Sequence, residues 1–252
     1  MAFSLKYDLH THTTYSHGIQ GNHGKGTVEE NARIAHSKGL KALGISDHGP
    51  GHILYGLDMK RIDDMRCDVE RANELFSDLK IMLSVEANII NPSGNLDVLP
   101  EDFHYFDYII AGYHYGVLGE APLSAIRVCL GGYASSHGGT TSAGARNYNT
   151  DLVVKALYKN DIKILTHPGD KADFDIDVIS KACEETNTLM EINNHHNGLT
   201  VEGIRIAAKY NVSFIISSDA HIPGNVGTFE VALKRAREAE LPLERIVNLW
   251  NS

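Results

Sequence analysis

Short apolar runs alternate with segments of helical periodicity along most of this 252-residue chain. The apolar runs are rich in β-branched residues and have the length of buried strands. We predict strands at 4–10, Leu40–Ser46, Ile81–Ala87, Tyr108–Gly112, Ile162–Thr166, Thr188–Ile192 and Val212–Ser217. Between them, apolar residues recur at spacings of three and four, which is typical of amphipathic helices. The predicted helices are Val28–Ser37, Met59–Phe76, Asp151–Lys159, Ile176–Glu185, Val201–Lys209 and Val226–Ala239, with a last helix at Leu243–Trp250.

The alternation of strands and helices, without an intervening linker, predicts a parallel sheet with crossover helices. The length is close to that of one closed α/β barrel, and no internal repeat or domain boundary is visible. We therefore expect an α/β fold in which residues 1–252 form a single domain. Thr27 and Glu30 have the spacing of a capping box ahead of the first helix. Residues 113–149 are rich in glycine and long for a connection, which predicts a lid-like or substrate-facing loop with a short helix inside.

Composition narrows the classes of partner. The formal net charge is −9, and no cluster of Lys and Arg offers a stripe for a phosphate backbone. Stable nucleic-acid binding is therefore not expected, whereas a small phosphorylated substrate is compatible with a few local cations. The three cysteines show no CxxC spacing, and neither a signal peptide nor an apolar run of roughly 20 residues is visible. We expect a cytoplasmic protein without a membrane segment, and the sequence leaves an oligomer open.

The 14 histidines are the unusual feature of the composition, and three of them lie in the stretch Tyr7–His17. His10 and His12 end the first predicted strand and share one side of it, because successive side chains of a strand alternate. His17 lies beyond a turn and can swing back toward them. A divalent cation would satisfy neighbouring buried imidazoles, because neutral imidazole is a common metal ligand. The alternative for this stretch alone is a solvated, histidine-rich edge.

The other predicted strands also end in polar groups or candidate ligands. In chain order these groups are His10 with His12, Asp47 with His48, Glu86, His114, His167, Glu191 with Asn193 and Asn194, and Asp219 with His221. The carboxyl ends of the strands of a parallel α/β barrel meet at one face, where active sites of this architecture lie. The pattern therefore predicts one site at that face.

The candidate ligands are mostly nitrogen donors with a few carboxylates, a set that suits zinc, manganese or iron better than calcium or magnesium. They are His10, His12, His17, His48, Glu86, His114, His167, Asp219 and His221. Because zinc usually takes about four ligands, the set implies more than one ion, with Glu86 as the natural bridging carboxylate. A cluster of this kind with open positions is suited to hydrolysis, since bound ions activate water and neutralise developing charge.

These residues lie in motifs that resemble those of the PHP family (polymerase and histidinol phosphatase). The motifs are Asp8-Leu9-His10-Thr11-His12 with His17, Ser46-Asp47-His48-Gly49, Glu86-Ala87-Asn88, Gly112-Tyr113-His114, Thr166-His167-Pro168-Gly169 and Ser218-Asp219-Ala220-His221. They occur in order across residues 8–221, and the closest similarity is to stand-alone bacterial phosphatases of the YcdX type, which Glu191-Ile192-Asn193-Asn194 supports. The resemblance implies a distorted seven-stranded (β/α) TIM-like barrel, a trinuclear metal site and phosphoester hydrolysis. It also assigns metal-ligand roles to the nine candidates, none of which is substituted.

The function expected from this resemblance is hydrolysis of a small phosphomonoester, histidinol phosphate or a related phosphorylated metabolite. In the expected mechanism, a metal-bridging hydroxide attacks phosphorus in line with the ester oxygen, and three divalent ions, zinc before manganese or iron, serve as cofactors. Two alternatives stay open. One is a phosphodiesterase or exonuclease acting on nucleic-acid ends, and the other is a non-catalytic metal-binding module. An amidohydrolase of the lysine-modified type is disfavoured, because no predicted strand ends in lysine.

Further residues are candidates for substrate binding and proton transfer. Asp47 could orient a histidine or relay a proton, or it could serve as a plain strand-end cap. Arg61 is the first candidate for a phosphate anchor, and Arg146 and Lys171 are further candidates. The alternative for each of the three is an ordinary solvated surface charge. Asn193 and Asn194, at the end of the sixth predicted strand, could orient substrate or a bound water, and neither is predicted to be a metal ligand. His52 and His195, on loops of the same face, could touch substrate.

Overall fold

The computed structural model describes residues 3–18, 21–117 and 143–251. Among these residues the strands are β1 (Phe3–Leu5), β2 (Tyr7–Thr11), β3 (His17–Gly18), β4 (Gly21–Asn22), β5 (Ala42–His48), β6 (Lys80–Asn88), β7 (Tyr108–Gly112), β8 (Ile162–Leu165), β9 (Leu189–Asn193), β10 (Phe214–Ser217) and β11 (Leu249–Asn251). The described α-helices are α1 (Val28–Ser37), α2 (Ile62–Leu75), α3 (Ala143–Lys159), α4 (Ile176–Thr186), α5 (Val201–Ala207) and α6 (Glu230–Glu238). No helix of this part of the chain is both long enough and apolar enough to span a membrane.

Seven parallel strands form the central sheet in the order β2-β5-β6-β7-β8-β9-β10. The two outermost strands approach each other at their carboxyl ends, where His12 N–H donates to the Ala220 carbonyl over 2.9 Å and Asp219 N–H donates to the His10 carbonyl over 3.0 Å. The sheet is therefore nearly closed into a barrel, which confirms the predicted fold class. Closure brings together the ends of β2 and β10, which carry the first and the last of the sequence motifs.

Two apolar layers hold this barrel together. Leu9, Ile110, Ile164 and Ile215 form a buried cluster with side chains from four different strands, and this cluster fills the interior below the site. The larger cluster lies between the outer face of the sheet and the helices. Gly44 is needed at the inner layer, because a Cβ there would lie 1.8 Å from the Tyr108 hydroxyl oxygen. That hydroxyl donates to the Leu9 carbonyl over 2.8 Å and links β7 to β2.

Local sequence signals account for several element ends. Thr27 caps α1 as predicted, because its hydroxyl accepts from Glu30 N–H over 3.2 Å while the Glu30 carboxylate accepts from Thr27 N–H over 2.8 Å. The predicted loop at 113–149 needs correction at its end, since α3 already begins at Ala143. The rest of that prediction, at 118–142, lies outside the described residues.

The C-terminal segment does not form the helix predicted at Leu243–Trp250. A short 3-10 helix covers Leu243–Arg245, and β11 then pairs antiparallel with β1, with Trp250 opposite Ser4. The free edge of β1 supplies backbone partners that local periodicity does not reveal. The first predicted strand is divided into β1, which pairs with β11, and β2, which pairs with β5.

A buried carboxylate joins the two ends of the sheet. Asp8 on β2 is fully buried and accepts from Ser218 Oγ over 2.5 Å, from Ser218 N–H over 3.2 Å and from Gly227 N–H over 2.8 Å. These donors follow β10, so the carboxylate bridges the gap that the backbone ladder leaves open. A charged acceptor with several buried donors contributes more to stability than a surface ion pair does.

We expect Asp8→Ala to lower the free energy of unfolding by roughly 3 kcal/mol, because it leaves buried donors without an acceptor. Urea unfolding followed by circular dichroism measures the change. Asp78→Ala is the matched control, since Asp78 is exposed and pairs only with the exposed His36 among the described residues. A loss for Asp8→Ala no larger than that of the control would contradict this role in closure.

Candidate metal centre

The carboxyl ends of the barrel strands direct polar side chains into one space. On β6, alternation puts Glu86 on the same face as Met82, which packs against the interior cluster. His48 at the end of β5 faces Glu86 in the register of the two strands. His114, His167 and Asp219 follow directly on β7, β8 and β10. The parallel register thus places residues that are far apart in sequence side by side at the carboxyl ends of the strands.

A bulge in β2 directs the first two histidines to this space. Asp8 pairs with Leu43 and Thr11 pairs with Ile45, so three steps along β2 match two steps along β5. Strict alternation would place His10 on the face opposite Leu9. The extra residue lets Leu9 fill the interior while His10 and His12 point into the site above it.

Glu86 lies at the centre of the group. One of its oxygens, Oε1, lies 2.8 Å from His167 Nε2 and 3.4 Å from His114 Nε2. The other, Oε2, lies 3.0 Å from His48 Nδ1 and 3.4 Å from His10 Nε2. Glu86 is fully buried, so a single carboxylate is shared by imidazoles from four strand ends.

Asp219 is a second shared carboxylate. Its Oδ1 lies 3.1 Å from His12 Nε2 and 3.7 Å from His10 Nε2, and these two imidazole nitrogens are 3.1 Å apart. Asp219 has a φ of 52° and His167 a φ of 26°, in the left-handed region that residues other than glycine rarely adopt. Backbone strain of this kind persists where the surrounding structure holds it, commonly at functional sites.

Among the described residues, three groups of potential ligand atoms are close enough to hold a metal ion: His12 with His48 and His221, His10 with His12 and Glu86, and His48 with Glu86 and His114. Several of the atoms are buried without a hydrogen-bond partner among the described residues. They include His12 Nδ1, His48 Nε2, Glu86 Oε2, Asp219 Oδ1 and His221 Nε2. Buried polar atoms are normally satisfied, so this many unpartnered donors and acceptors at one place fit metal ligation.

The charges of the site are distributed unevenly. Burial by itself would raise the pKa of Glu86, but the imidazoles of His114, His10 and His167 outweigh it and hold this pKa well below its usual range. Burial lowers the pKa of His221 to about 3, with the His12 imidazole adding to the effect. Burial would also lower the pKa of His10, but the carboxylates of Glu191, Glu86 and Asp219 raise it well above its ordinary value. The site therefore combines ionised carboxylates and the neutral His221 imidazole, which are the forms that bind metals, with a His10 imidazole that must release its proton when a metal binds.

Comparison with known proteins assigns this geometry to a family. Residues 8–195 match the model of the PHP domain, which is most of the chain. This chain belongs to the PHP domain family. A probable phosphatase of Clostridium acetobutylicum is 30% identical over 97% of this chain and 91% of its own length. A probable phosphatase of Acetivibrio thermocellus is 27% identical over 97% of this chain and 92% of its own length.

A solved structure shares the fold of this PHP chain. It is the histidinol phosphate phosphatase of Lactococcus lactis, complexed with zinc, L-histidinol and phosphate, with a TM-score of 0.61 and 13% identity over 93% of this chain and 92% of that one. The similarity at this identity concerns the fold. Together with the family and the relatives, it supports the enzyme class predicted from the sequence, a metal-dependent phosphoric ester hydrolase.

The structure brings together eight of the nine residues predicted as ligands and leaves one apart. The residues that meet in the PHP site are His10, His12, His48, Glu86, His114, His167, Asp219 and His221. His17 is exposed, and its Nδ1 lies 2.5 Å from Asn22 Oδ1 at the neighbouring strand. The expectation that His17 swings back toward His10 and His12 is therefore corrected.

Asp47 does not have the contacts expected of a proton relay. Its carboxylate accepts from Thr13 N–H (2.8 Å), Thr13 Oγ1 (2.6 Å), Ser16 N–H (3.0 Å) and Ser16 Oγ (2.6 Å). These bonds hold the turn after β2 and involve no imidazole among the described residues. Of the two alternatives for Asp47, the geometry favours the structural cap.

Two residues predicted to contact substrate lie elsewhere. The Arg61 guanidinium lies 4.6 Å from the ring centre of Tyr15, and Arg61 is not among the residues that line the cavity above the site. Asn194 Oδ1 accepts from Val231 N–H (3.0 Å) and Ala232 N–H (3.1 Å), which caps the start of α6. Helix ends attract such side chains because their first N–H groups lack partners. The predictions for Arg61 as phosphate anchor and Asn194 as substrate ligand are corrected accordingly.

Glu191 and Asn193 support the candidate ligands, a role that was predicted for neither of them. Glu191 Oε1 lies 2.8 Å from His10 Nδ1, and its Oε2 accepts from His167 N–H over 2.7 Å. Asn193 Nδ2 donates to Glu191 Oε2 (2.9 Å) and to Asp219 Oδ2 (3.1 Å). Their position at the end of β9 was a usable signal, because a carboxylate at that level can orient a ligating imidazole.

A cavity of about 310 Å³ opens above the group. Its walls include His23, Tyr55, Lys171, His195 and His196 in addition to the candidate ligands. His196 is fixed there, since its Nδ1 lies 3.1 Å from Asp170 Oδ1. His52, expected on a loop of this face, stacks on Tyr55 with ring centres 3.7 Å apart. Of the two further phosphate candidates, Lys171 lines the cavity, whereas Arg146 pairs with Asp173 at 3.6 Å outside it.

We expect Glu191→Gln to weaken zinc binding by roughly 10- to 100-fold, because the amide no longer orients His10 with a negative charge. Competition with a chromophoric chelator measures the affinity. Glu70→Gln, at an exposed position on α2, is the control and should bind zinc as the unmodified chain does. Equal affinities of the two variants would show that Glu191 does not position His10 for a metal.

Proposed function

We propose that this PHP protein hydrolyses the phosphomonoester of a small metabolite at a centre of three divalent metal ions, zinc in the first instance. The observation that carries the proposal is the set of buried, unpartnered ligand atoms around Glu86. A donor set of imidazoles with a few carboxylates suits zinc, with manganese and iron as substitutes. We further propose that residues 1–252 act as one domain.

The residues divide into positions for the ions. His10, His12, Glu86 and Asp219 would hold one ion, and Glu86, His114 and His167 would hold a second, with the Glu86 carboxylate available to both. His48 and His221, whose ligand atoms lie close together, would remain for a third ion. Bound divalent ions lower the pKa of a coordinated water and stabilise negative charge on phosphoryl oxygens.

The chain itself supplies orientation and charge. Glu191 holds His10 through Nδ1, which leaves Nε2 for the site, and it also holds the His167 backbone. Asn193 ties Glu191 to Asp219 and keeps both carboxylates at one level. Geometry fixed before substrate binds reduces the entropy cost of reaching the transition state.

The rim of the cavity supports recognition of a small phosphate ester. Lys171 Nζ lies 2.5 Å from Asp170 Oδ2 and 5.8 Å from the ring centre of Tyr115, so it is held near the opening. An ammonium group there can bind non-bridging phosphate oxygens. A volume of about 310 Å³ is at the lower end for small-molecule sites and suits a metabolite.

The first test measures phosphate release after the protein is stripped with a chelator and reloaded with zinc or manganese. A panel of phosphomonoesters including histidinol phosphate, one phosphodiester and a 3′-labelled oligonucleotide separates the alternatives. We expect turnover of monoesters to return with metal, and Glu86→Gln to lose more than about 100-fold, because even outer partners of ligands cost 10- to 100-fold.

Glu70→Gln is again the control and should retain turnover. Preference for the diester or the oligonucleotide would favour the phosphodiesterase alternative. Metal binding without hydrolysis of any compound in the panel would favour the non-catalytic module.

Lys171→Ala tests the phosphate contact. We expect kcat/KM for a monoester to fall roughly 10- to 100-fold, because a charge-assisted hydrogen bond contributes about 1.5–3 kcal/mol. Steady-state kinetics on the preferred monoester measures the change. Arg61→Ala is the matched cation variant and should leave kcat/KM unchanged. A larger loss for Arg61→Ala than for Lys171→Ala would contradict the assignment.

A further inference from the structure

We propose that Tyr55 is a further substrate-binding residue, whose hydroxyl donates a hydrogen bond to a phosphoryl oxygen of the substrate. This inference rests on the phosphatase function proposed above and names a contact of that site which is not a metal ligand. Tyr55 lies on the loop after β5, outside the sequence motifs described above, and it lines the cavity above the candidate ligands.

Imidazole rings hold the Tyr55 ring on both faces. Its centre lies 3.9 Å from that of His23, with 9° between the planes, and 3.7 Å from that of His52, with 20° between the planes. The three rings therefore form a stack with Tyr55 in the middle. A side chain fixed in this way loses little conformational freedom when a ligand binds, so its hydroxyl is positioned before substrate arrives.

The loop that carries Tyr55 is fixed through its backbone as well. Leu57 N–H donates to the His48 carbonyl over 2.9 Å, which closes the loop onto the end of β5. Within the loop, Gly56 N–H donates to the His52 carbonyl over 2.9 Å. A Cβ at Gly56 would lie 2.7 Å from that carbonyl oxygen, so the tight turn next to Tyr55 requires glycine.

The Tyr55 hydroxyl is available to a ligand. It makes no hydrogen bond with the part of the chain that the structure describes. Burial raises the pKa of Tyr55 to about 12, and the charges of Glu86 and Asp219 add to this rise, which locates the hydroxyl end of the ring near these carboxylates. A phenol donates one hydrogen bond, and a charged phosphoryl oxygen is a strong acceptor for it.

The depth of Tyr55 in the cavity favours a contact with the phosphoryl group over a contact with the leaving group. The Tyr55 ring centre lies 4.7 Å from that of His48, whose Nε2 is a candidate ligand atom. Phosphoryl oxygens bind close to the ions of a metal-dependent phosphatase, because the ions neutralise their charge. The leaving group extends from there toward the opening, where His195 is exposed.

Tyr55 and Lys171 enter the cavity from opposite sides. β5 is the second strand and β8 the fifth in the order of the seven strands, so the loops that follow them begin on opposite sides of the nearly closed barrel. Both residues line the cavity. An uncharged donor and an ammonium group on opposite sides of a tetrahedral phosphoryl group can contact different oxygens, and together they fix its orientation.

The test compares the zinc-loaded, unmodified protein with Tyr55→Phe and with the matched variant Tyr158→Phe. Phenylalanine keeps the ring between His23 and His52 and removes only the hydroxyl. Tyr158 is exposed on α3 and does not line the cavity, so its variant removes a hydroxyl outside the site. Isothermal titration calorimetry measures the Kd for inorganic phosphate, and steady-state kinetics measures kcat/KM for several phosphomonoesters.

We expect Tyr55→Phe to weaken the binding of inorganic phosphate by roughly 10- to 100-fold, because a hydrogen bond to a charged acceptor is lost. The value of kcat/KM should fall by a similar factor for every monoester, since all of them share the phosphoryl group. Zinc content should stay unchanged, and Tyr158→Phe should behave as the unmodified protein does.

Unchanged phosphate binding together with a loss of kcat/KM for one ester alone would place Tyr55 at the leaving group and overturn the proposal. Unchanged values in both measurements, or loss of zinc from Tyr55→Phe, would overturn it as well. Thermal unfolding shows whether Tyr55→Phe folds, and Tyr55→Met is the second variant if it does not. Phosphate binding without hydrolysis by the unmodified protein would contradict the proposed function, whereas the calorimetric comparison would still decide the role of Tyr55.

Discussion

The attraction between one buried carboxylate, Glu86, and the imidazoles around it is the constraint on which the site depends. An isolated carboxylate in a dry interior is strongly unfavourable, and the cost falls only when charged or polar partners surround it. Glu86 finds those partners at the ends of β5, β7 and β8 and in the bulged β2. The ends of these strands must therefore all lie within reach of the Glu86 carboxylate. The barrel register, the bulge and the strained backbone at His167 and Asp219 all serve that requirement.

A second set of carboxylates, the buried Asp8 and Asp47 and the half-buried Asp97, holds the segments around this centre. Asp8 joins the two edges of the sheet, and Asp47 holds the turn after β2. Asp97 accepts from Asn88 N–H (2.7 Å) and Gly51 N–H (2.8 Å), and so ties the loop after β5 to β6; burial raises its pKa to about 6. Backbone N–H groups at loop turns lack partners of their own, and a carboxylate satisfies several of them at once. The loops that line the cavity are thereby fixed without being part of the ladder.

Much of the architecture could be predicted because it depends on local pattern. The strands of the barrel, α1 with its capping box and the convergence of ligands at one face all follow from periodicity and from the direction of parallel strands. The C-terminal strand was not predictable in this way. Leu249–Asn251 is a strand because β1 offers it an edge, and that partner lies at the other end of the chain. Similarly, the sequence could not show that Asn194, and not Asn193, caps α6. That role depends on the start of α6 lying next to Asn194 in the folded chain.

The sequence by itself determined the residue types of the candidate ligands, their order at the strand ends and the family, because these depend on residue identity and on the alternation of strands with helices. Only the tertiary structure decided which side chains meet. His17 is exposed on the hairpin of β3 and β4, whereas His23, which directly follows β4, lines the cavity. Glu191 and not Asp47 reaches an imidazole, because the bulge in β2 turns His10 toward β9. Such outcomes depend on contacts between distant segments, and a shift of one residue in register reverses them.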